Sequence, residues 1–290
     1  MLNPHVQAAV GKIAGQNARI KSVKNVPGGT INQTLQITLA SGEAFFAKVA
    51  KDGVPCPGMF ESEAASLNII AASNTLRVPE TLYADQHCLV QTMFRESHKA
   101  TDWHEQIGHG LARMHQEIQA QQFGFELDNY LGTTPQDNRN AESWLDFWRG
   151  RRLEPQIALL FETLDQNDDL LTALNRLSAR LDNYLAAWRE PATFIHGDLW
   201  SGNAAADEYG SPIVFDPASY FASREAEFGM MRLFGGFGSR TEAAYEEIWP
   251  FEPDFETRVE LYRLYHLVNH LIIFGRSYYA DALAVAKSLL

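Results

Sequence analysis

Phe194-Ile195-His196-Gly197-Asp198-Leu199-Trp200-Ser201-Gly202-Asn203, followed by Ile213-Val214-Phe215-Asp216-Pro217, is the stretch on which the reading of this chain turns. Thr193 to Ile195 reads as a buried apolar strand running into a polar loop. Ala204 to Ala206 and Ile213 to Phe215 read as two strands joined around Asp207-Glu208-Tyr209-Gly210-Ser211. Antiparallel pairing sets the residue before the first strand beside the residue after the second. Asn203 and Asp216 are therefore expected side by side, with Asp198 one loop-width away.

An amide oxygen next to a carboxylate suits Mg²⁺, a hard cation that takes one or two protein oxygens and completes its shell with water and phosphate. A third acidic group within hydrogen-bonding reach can orient a hydroxyl for in-line attack on phosphorus. Taken singly, each of the three is equally an ordinary turn residue, because Asp and Asn bond their own backbone. Taken in the order D-x-x-x-x-N, hairpin, apolar run, D, they match a kinase catalytic loop followed by its metal loop. In outline this is a phosphotransferase site.

The 290 residues suffice for one large domain or two lobes, each with its own core. With 24 basic and 36 acidic residues the formal charge is −12, the wrong sign for a general nucleic-acid or anionic-membrane binder, so any anion must be held by a local pocket. The first ten residues lack the pattern of a secretory signal and no apolar run reaches transmembrane length, which makes the cytoplasm the expected location. Cys56 and Cys88, the only cysteines, make no metal-type pair and are expected as reduced thiols.

Upstream, Pro4 to Gly15 reads as a short amphipathic helix, and Arg19 to Val26, Ile31 to Leu39 and Glu43 to Ala50 as strands, the last two joined at Ser41-Gly42. Gly28 and Gly29, between the first two strands, could let backbone amides approach a phosphate, or could simply be a turn. Lys48 stands in an otherwise apolar strand, and a covered lysine needs a partner. Glu63 supplies one. It lies on the edge of the stripe Phe60, Ala64, Leu67, Ile70 in a helix predicted over 59–72, and is preferred on that ground to Glu61. Leu82 to Asp85 and Cys88 to Met93 read as a further strand pair. A lobe boundary falls near residues 93–96, where the backbone of Thr92 and Phe94 would meet an adenine ring.

Beyond it the pattern turns helical. Trp103, Ile107, Leu111, Met114 and Ile118 share one face, while His104, His109 and His115 share none and read as structural or surface residues. Phe123 to Gln136 reads as a long aromatic loop facing substrate. Ser143 to Phe161 and Asp168 to Trp188 read as helices, the first carrying Arg149, Arg151 and Arg152 on a solvated basic face. A helical tail follows over 226–234, 241–249, 255–274 and 279–289.

These stretches together resemble the fructosamine kinase, or ketosamine 3-kinase, family, relatives of aminoglycoside and choline kinases. The resemblance rests on Phe46-Ala47-Lys48, Met59-Phe60-Glu61-Ser62-Glu63-Ala64, Asp128-Asn129-Tyr130-Leu131-Gly132, His196-Gly197-Asp198-Leu199-Trp200-Ser201-Gly202-Asn203, Phe215-Asp216-Pro217-Ala218 and Leu233-Phe234-Gly235-Gly236-Phe237. It implies an α+β, protein-kinase-like bilobal fold: a small nucleotide-binding lobe over 1–94 with an antiparallel sheet plus helix, and a larger, mostly helical catalytic lobe over 95–290. It implies ATP and Mg²⁺ as cofactors, Asp198 as the catalytic carboxylate, Asn203 and Asp216 as metal ligands, Lys48 on the phosphates with Glu63 as its partner, and Trp200 stacked on the sugar-derived part of the substrate. The substrate would be a small-molecule ketosamine or a glycated protein lysine, with the phosphate passing to a sugar hydroxyl. The chain departs from the family pattern at Thr92, where Glu is usual, at Ala222 for Gly, and at Glu227 for Asp. Two other readings stand beside this one: a small-molecule kinase of the aminoglycoside or choline type, and a nucleotide-binding pseudokinase.

Overall fold

The computed structural model describes residues 2–27, 31–51 and 56–290. Its N-terminal part contains α1 (Pro4–Ala14), β1 (Ile20–Asn25), β2 (Asn32–Leu39), β3 (Ala44–Ala50), α2 (Met59–Ser73), β4 (Thr81–Ala84) and β5 (Cys88–Thr92). The Asn3 side chain caps α1 by accepting from the His5 amide at 2.9 Å, and Gly15 ends the helix. The five strands form one antiparallel sheet in the order β1-β2-β3-β5-β4. Successive side chains on a strand face opposite ways. In β3, Phe45, Ala47 and Val49 cluster with Val6, Ala9 and Val10 of α1. Lys48 emerges on the other face, the one on which Leu89 of β5 clusters with Phe60 and Ala64 of α2.

Helices dominate from α3 (Trp103–Glu117) onward. β6 (Gln119–Ala120) and the hairpin β7 (Asn129–Leu131) and β8 (Thr134–Gln136) lead into α4 (Trp144–Trp148), α5 (Glu154–Phe161), α6 (Asp169–Ser178) and α7 (Asp182–Leu185). Then come β9 (Ala192–Ile195), β10 (Ala204–Ala206), β11 (Pro212–Val214) and β12 (Tyr220–Ala222). The chain closes with α8 (Ala226–Leu233), α9 (Ser239–Ile248), α10 (Phe255–Phe274) and α11 (Tyr279–Ser288). β9 is the central strand of a three-stranded sheet, β12-β9-β6, and its four residues are all buried. This is the expected α+β arrangement. Among the described residues no helix is long and apolar enough to cross a membrane.

Three expectations change. The stretch 123–136 is not an unsupported loop: Phe123 and Phe125 are core residues and 129–136 pair as a hairpin, although Asn129 to Gly132 do line the cavity described below. The helix expected over 143–161 passes through a π-helical turn at Arg149–Leu153, and that over 168–188 breaks into α6 and α7. Arg152 is not on a solvated face. It is 1 % exposed, with its guanidinium donating to Asn138 Oδ1 at 2.5 Å and to Asp137 O at 2.9 Å, and lying 3.9 Å from the centre of the Tyr220 ring. The reason is that the guanidinium finds its acceptors in the segment after β8, 14 or 15 residues back, which helical periodicity does not see. Arg149 pairs with Asp182 at 2.6 Å and Arg151 with Asp137 at 3.2 Å.

The sheet-bearing and helical parts are pinned together on two sides. Arg77, before β4, pairs with Asp207 and, at 3.2 Å, with Glu208, both in the β10–β11 turn. On the other side the Tyr130 hydroxyl donates to Pro57 O at 3.0 Å. A cavity of about 500 Å³ opens between the two parts.

Candidate active site

The cavity is lined by Lys48 and Glu63 from above and by Asp198, Trp200, Asn203 and Asp216 from below, so six of the residues singled out in the sequence meet there. β9 delivers His196, Gly197 and Asp198 to its floor. Gly197 has φ +81°, and a β-carbon there would collide with Ala218 O, so only glycine turns the chain at this point. The buried His196 ring donates from Nε2 to Phe215 O at 3.0 Å, which ties the loop after β9 to the residue before Asp216. Burial holds this imidazole below its usual pKa, so it is neutral near pH 7.

The hairpin pairs Ala204 with Val214, and one step further out the Phe215 amide donates to Asn203 O at 3.0 Å. Asp216 is next, with φ +60°, in the left-handed region that Asp tolerates better than most residues. Asn203 Nδ2 donates to Asp198 O at 2.8 Å and to Asp198 Oδ2 at 3.1 Å. The Asn203 amide oxygen is thereby turned away from Asp198. Burial raises the Asp198 carboxyl well above its usual range, and the nearby negative charge of Asp216 adds to the rise.

Lys48 Nζ donates to Glu63 Oε1 at 2.6 Å and to Asp216 Oδ1. Burial works to lower the pKa of this lysine, but the two carboxylates outweigh it and the net shift is upward, so the ammonium stays charged. Glu63 is raised in turn, by burial first, with Asp216 adding to the rise and Lys48 opposing it. Glu61, the competing partner, takes no part in the pair.

Thr92 and Phe94 do not line the cavity as described. The Thr92 amide already donates to Glu80 O at 2.9 Å, and the Phe94 ring lies 5.9 Å from Phe215. Gly28 and Gly29 lie outside the described residues.

One residue of the site was not foreseen as functional. Glu227, at the start of α8 and 1 % exposed, accepts from the backbone amides of His196 at 2.5 Å and Gly197 at 3.0 Å. Its carboxylate holds the loop that carries Asp198. Behind it, His115 Nε2 lies 3.6 Å from Glu227, and His115 Nδ1 shares a hydrogen bond with the Tyr245 hydroxyl at 2.8 Å. The sequence signals were an acidic residue among the apolar side chains of 226–233 and its place where the family pattern has Asp.

The fructosamine kinase family model matches residues 2–290. The chain is 34 % identical over 287 residues to a probable ketoamine kinase of Synechocystis sp., covering 97 % of this chain and 94 % of that one. It is 33 % identical to the chloroplastic protein-ribulosamine 3-kinase of Oryza sativa subsp. japonica, covering 95 % and 81 %. The crystal structure of a fructosamine-3-kinase candidate from Thermobifida fusca superposes with a TM-score of 0.88 at 28 % identity, covering 98 % of each chain. The aminoglycoside phosphotransferase APH(4)-Ia, at 14 % identity, a TM-score of 0.67 and coverage of 98 % and 97 %, shares the fold.

Proposed function

The chain belongs to the fructosamine kinase family, and from that membership we propose that it transfers the γ-phosphoryl group of ATP to a ketosamine, at O3 of the ketose. Fructosamines and ribulosamines, free or on a glycated protein lysine, are the substrates this reading names. The observation that carries it is the meeting of Lys48, Asp198, Asn203 and Asp216 around one cavity.

Phosphoryl transfer has a loose transition state, so positioning and charge neutralisation supply most of the rate. The acceptor oxygen forms a bond to the γ-phosphorus while the bond from that phosphorus to the β-phosphate oxygen breaks. Asp198 aligns the hydroxyl and takes its proton late, and a carboxyl raised by burial is better matched to that duty than an exposed one. Lys48, held extended by Glu63, holds the inner phosphates. Gly28 and Gly29 would add backbone amides to the phosphates.

The donor set fits Mg²⁺. Among the described residues no group of three His, Cys, Asp or Glu side chains could hold a metal ion by itself. Asn203 and Asp216 offer an amide and a carboxylate oxygen, and Mg²⁺ needs only one or two such ligands when substrate phosphates supply others. When bound it would neutralise charge on the phosphate oxygens. Trp200, on the wall beside Asp198, would stack on the sugar-derived part. Residues 1–94 are read as the nucleotide-binding lobe and 95–290 as the catalytic lobe. Free Cys56 and Cys88 favour a reducing compartment such as the cytoplasm.

The test is incubation with Mg-ATP and a panel of fructosamines, ribulosamines and erythrulosamines, with the new phosphate located by NMR. A 3-phosphate on one or more of them is expected. Phosphorylation of choline or an aminoglycoside with no ketosamine product overturns the reading.

A further inference from the structure

Among the described residues, the four charged side chains that line the cavity, Lys48, Glu63, Asp198 and Asp216, belong to the proposed phosphate and proton-transfer machinery. The remaining wall beyond Trp200 is of another character. The Phe234 ring lies 5.7 Å from Trp200, and His270 lies 4.9 Å from Phe234. Phe274 and Tyr278 follow at 5.4 Å and 5.1 Å from His270. All five rings line the cavity, together with Ile273. Phe234 and Phe274 are 42 % and 48 % exposed, and they stand among the few large apolar side chains the fold leaves uncovered. The wall joins two remote segments, the end of α8 and the end of α10 with the turn after it. Gly236 seats the first of these. It has φ +93°, and a β-carbon there would collide with Ser201, so the chain after Phe234 lies directly on the loop that bears Trp200.

We propose that Phe234, His270, Phe274 and Tyr278 form the subsite for the amine half of the acceptor, and that this subsite selects ketosamines whose nitrogen carries an apolar stem. The inference rests on the ketosamine reading above. Three features support it. The wall begins at Trp200, next to Asp198, so a ketose with its hydroxyl at Asp198 can run its C1 and nitrogen outward along the rings. Aromatic faces attract a secondary ammonium and cover methylene or phenyl groups. The third feature is the lack of a counter-charge. Among the described residues Lys48 is the only cationic side chain of the lining, and both Glu63 and Asp216 engage it. Arg276, exposed two residues beyond Phe274, is not part of the lining. A carboxylate next to the substrate nitrogen, as in the adduct of a free α-amino acid, would leave water and meet aromatic faces with nothing to pair it.

The experiment compares fructose adducts of methylamine, hexylamine and glycine as phosphate acceptors at fixed Mg-ATP. For the wild-type chain kcat/KM is expected about tenfold higher for the hexylamine than for the methylamine adduct, the low end of what apolar contact in a pocket supplies, because the rim is half exposed. The glycine adduct is expected to be the poorest. Phe274→Ala should collapse the hexylamine-to-methylamine ratio toward one, and Phe274→Leu should restore part of it. Circular dichroism of each variant separates this from misfolding. Equal kcat/KM for all three adducts, or an unchanged ratio in both Phe274→Ala and Phe234→Ala, overturns the subsite while leaving the kinase reading intact. Phosphorylation of none of these fructose adducts, nor of the ribulose adducts of the same three amines, overturns both.

Discussion

Glu227→Gln tests whether the position of Asp198 depends on a carboxylate that never touches substrate. Glu227 accepts two backbone amides, from His196 at 2.5 Å and Gly197 at 3.0 Å, in a site that is 1 % exposed. Hydrogen bonds to a charged group are worth about 1.5–3 kcal/mol each. Removing both with alanine would cost about 3–6 kcal/mol, comparable to the whole stability of many domains. Glutamine keeps one acceptor oxygen and turns an NH₂ toward the second amide, so the expected loss is about 1.5–3 kcal/mol, felt mainly in the loop. A shift of about 1 Å in a reacting group can cost about 100-fold in rate. The expectation is therefore a kcat lower by 10- to 100-fold. KM for ATP should change little, because the phosphates are assigned to Lys48 on the other side of the cavity. A coupled assay for ADP release gives both parameters, and thermal melting reports the stability. A variant that melts lower but keeps its kcat within about twofold of the parent would show that Glu227 is structural only, and the reasoning would be refuted.

Asp198→Asn removes the proton acceptor and should lower kcat by about 10²- to 10⁴-fold while nucleotide binding, followed by fluorescence or calorimetry, persists. Near-native turnover with nucleotide bound would exclude the assigned role. Lys48→Met withdraws the ammonium that Glu63 holds at 2.6 Å, and KM for ATP should rise about 10- to 100-fold, as initial rates over an ATP series will show. His266 is buried in α10, and burial, with His270 and Arg152 nearby, pushes its pKa down to about 3. The unfolded chain takes up this proton near pH 6.5 and the folded chain does not, so the linked stability is complete above pH 6.5 and is lost as pH falls toward 3. The slope is about 1.4 kcal/mol per pH unit. Chemical denaturation of His266→Asn across pH 7 to 4 should show a dependence shallower by up to that amount, and parallel curves would contradict the assignment.

The meeting of the candidate site residues was legible wherever their relation is local or passes through a regular element. The Lys48 and Glu63 pair followed from a lysine in an apolar strand and a glutamate on the inward edge of a helix. The juxtaposition of Asn203 and Asp216 followed from a short hairpin, whose register leaves no freedom once the strands pair. Arg152 misled for the opposite reason. Its sequence neighbours Arg149 and Arg151 are on the surface, and only the docking of 137–138 and Tyr220 against it makes burial tolerable. Glu227 stayed hidden because it is bonded to backbone amides, which carry no side-chain signature, 30 and 31 residues away.

What the sequence determined by itself was the order of strands and helices up to β5, the family, and the loop and hairpin that carry Asp198, Asn203 and Asp216. Those properties depend on periodicity, turn residues and short spacings, which are written residue by residue. What the tertiary structure decided was which distant segments share a wall: the end of α8 against the end of α10 beside Trp200, Glu227 beneath the loop that carries Asp198, and Arg152 inside. Such contacts are fixed by how whole elements pack, and packing energy belongs to the assembled faces of many residues rather than to any one of them.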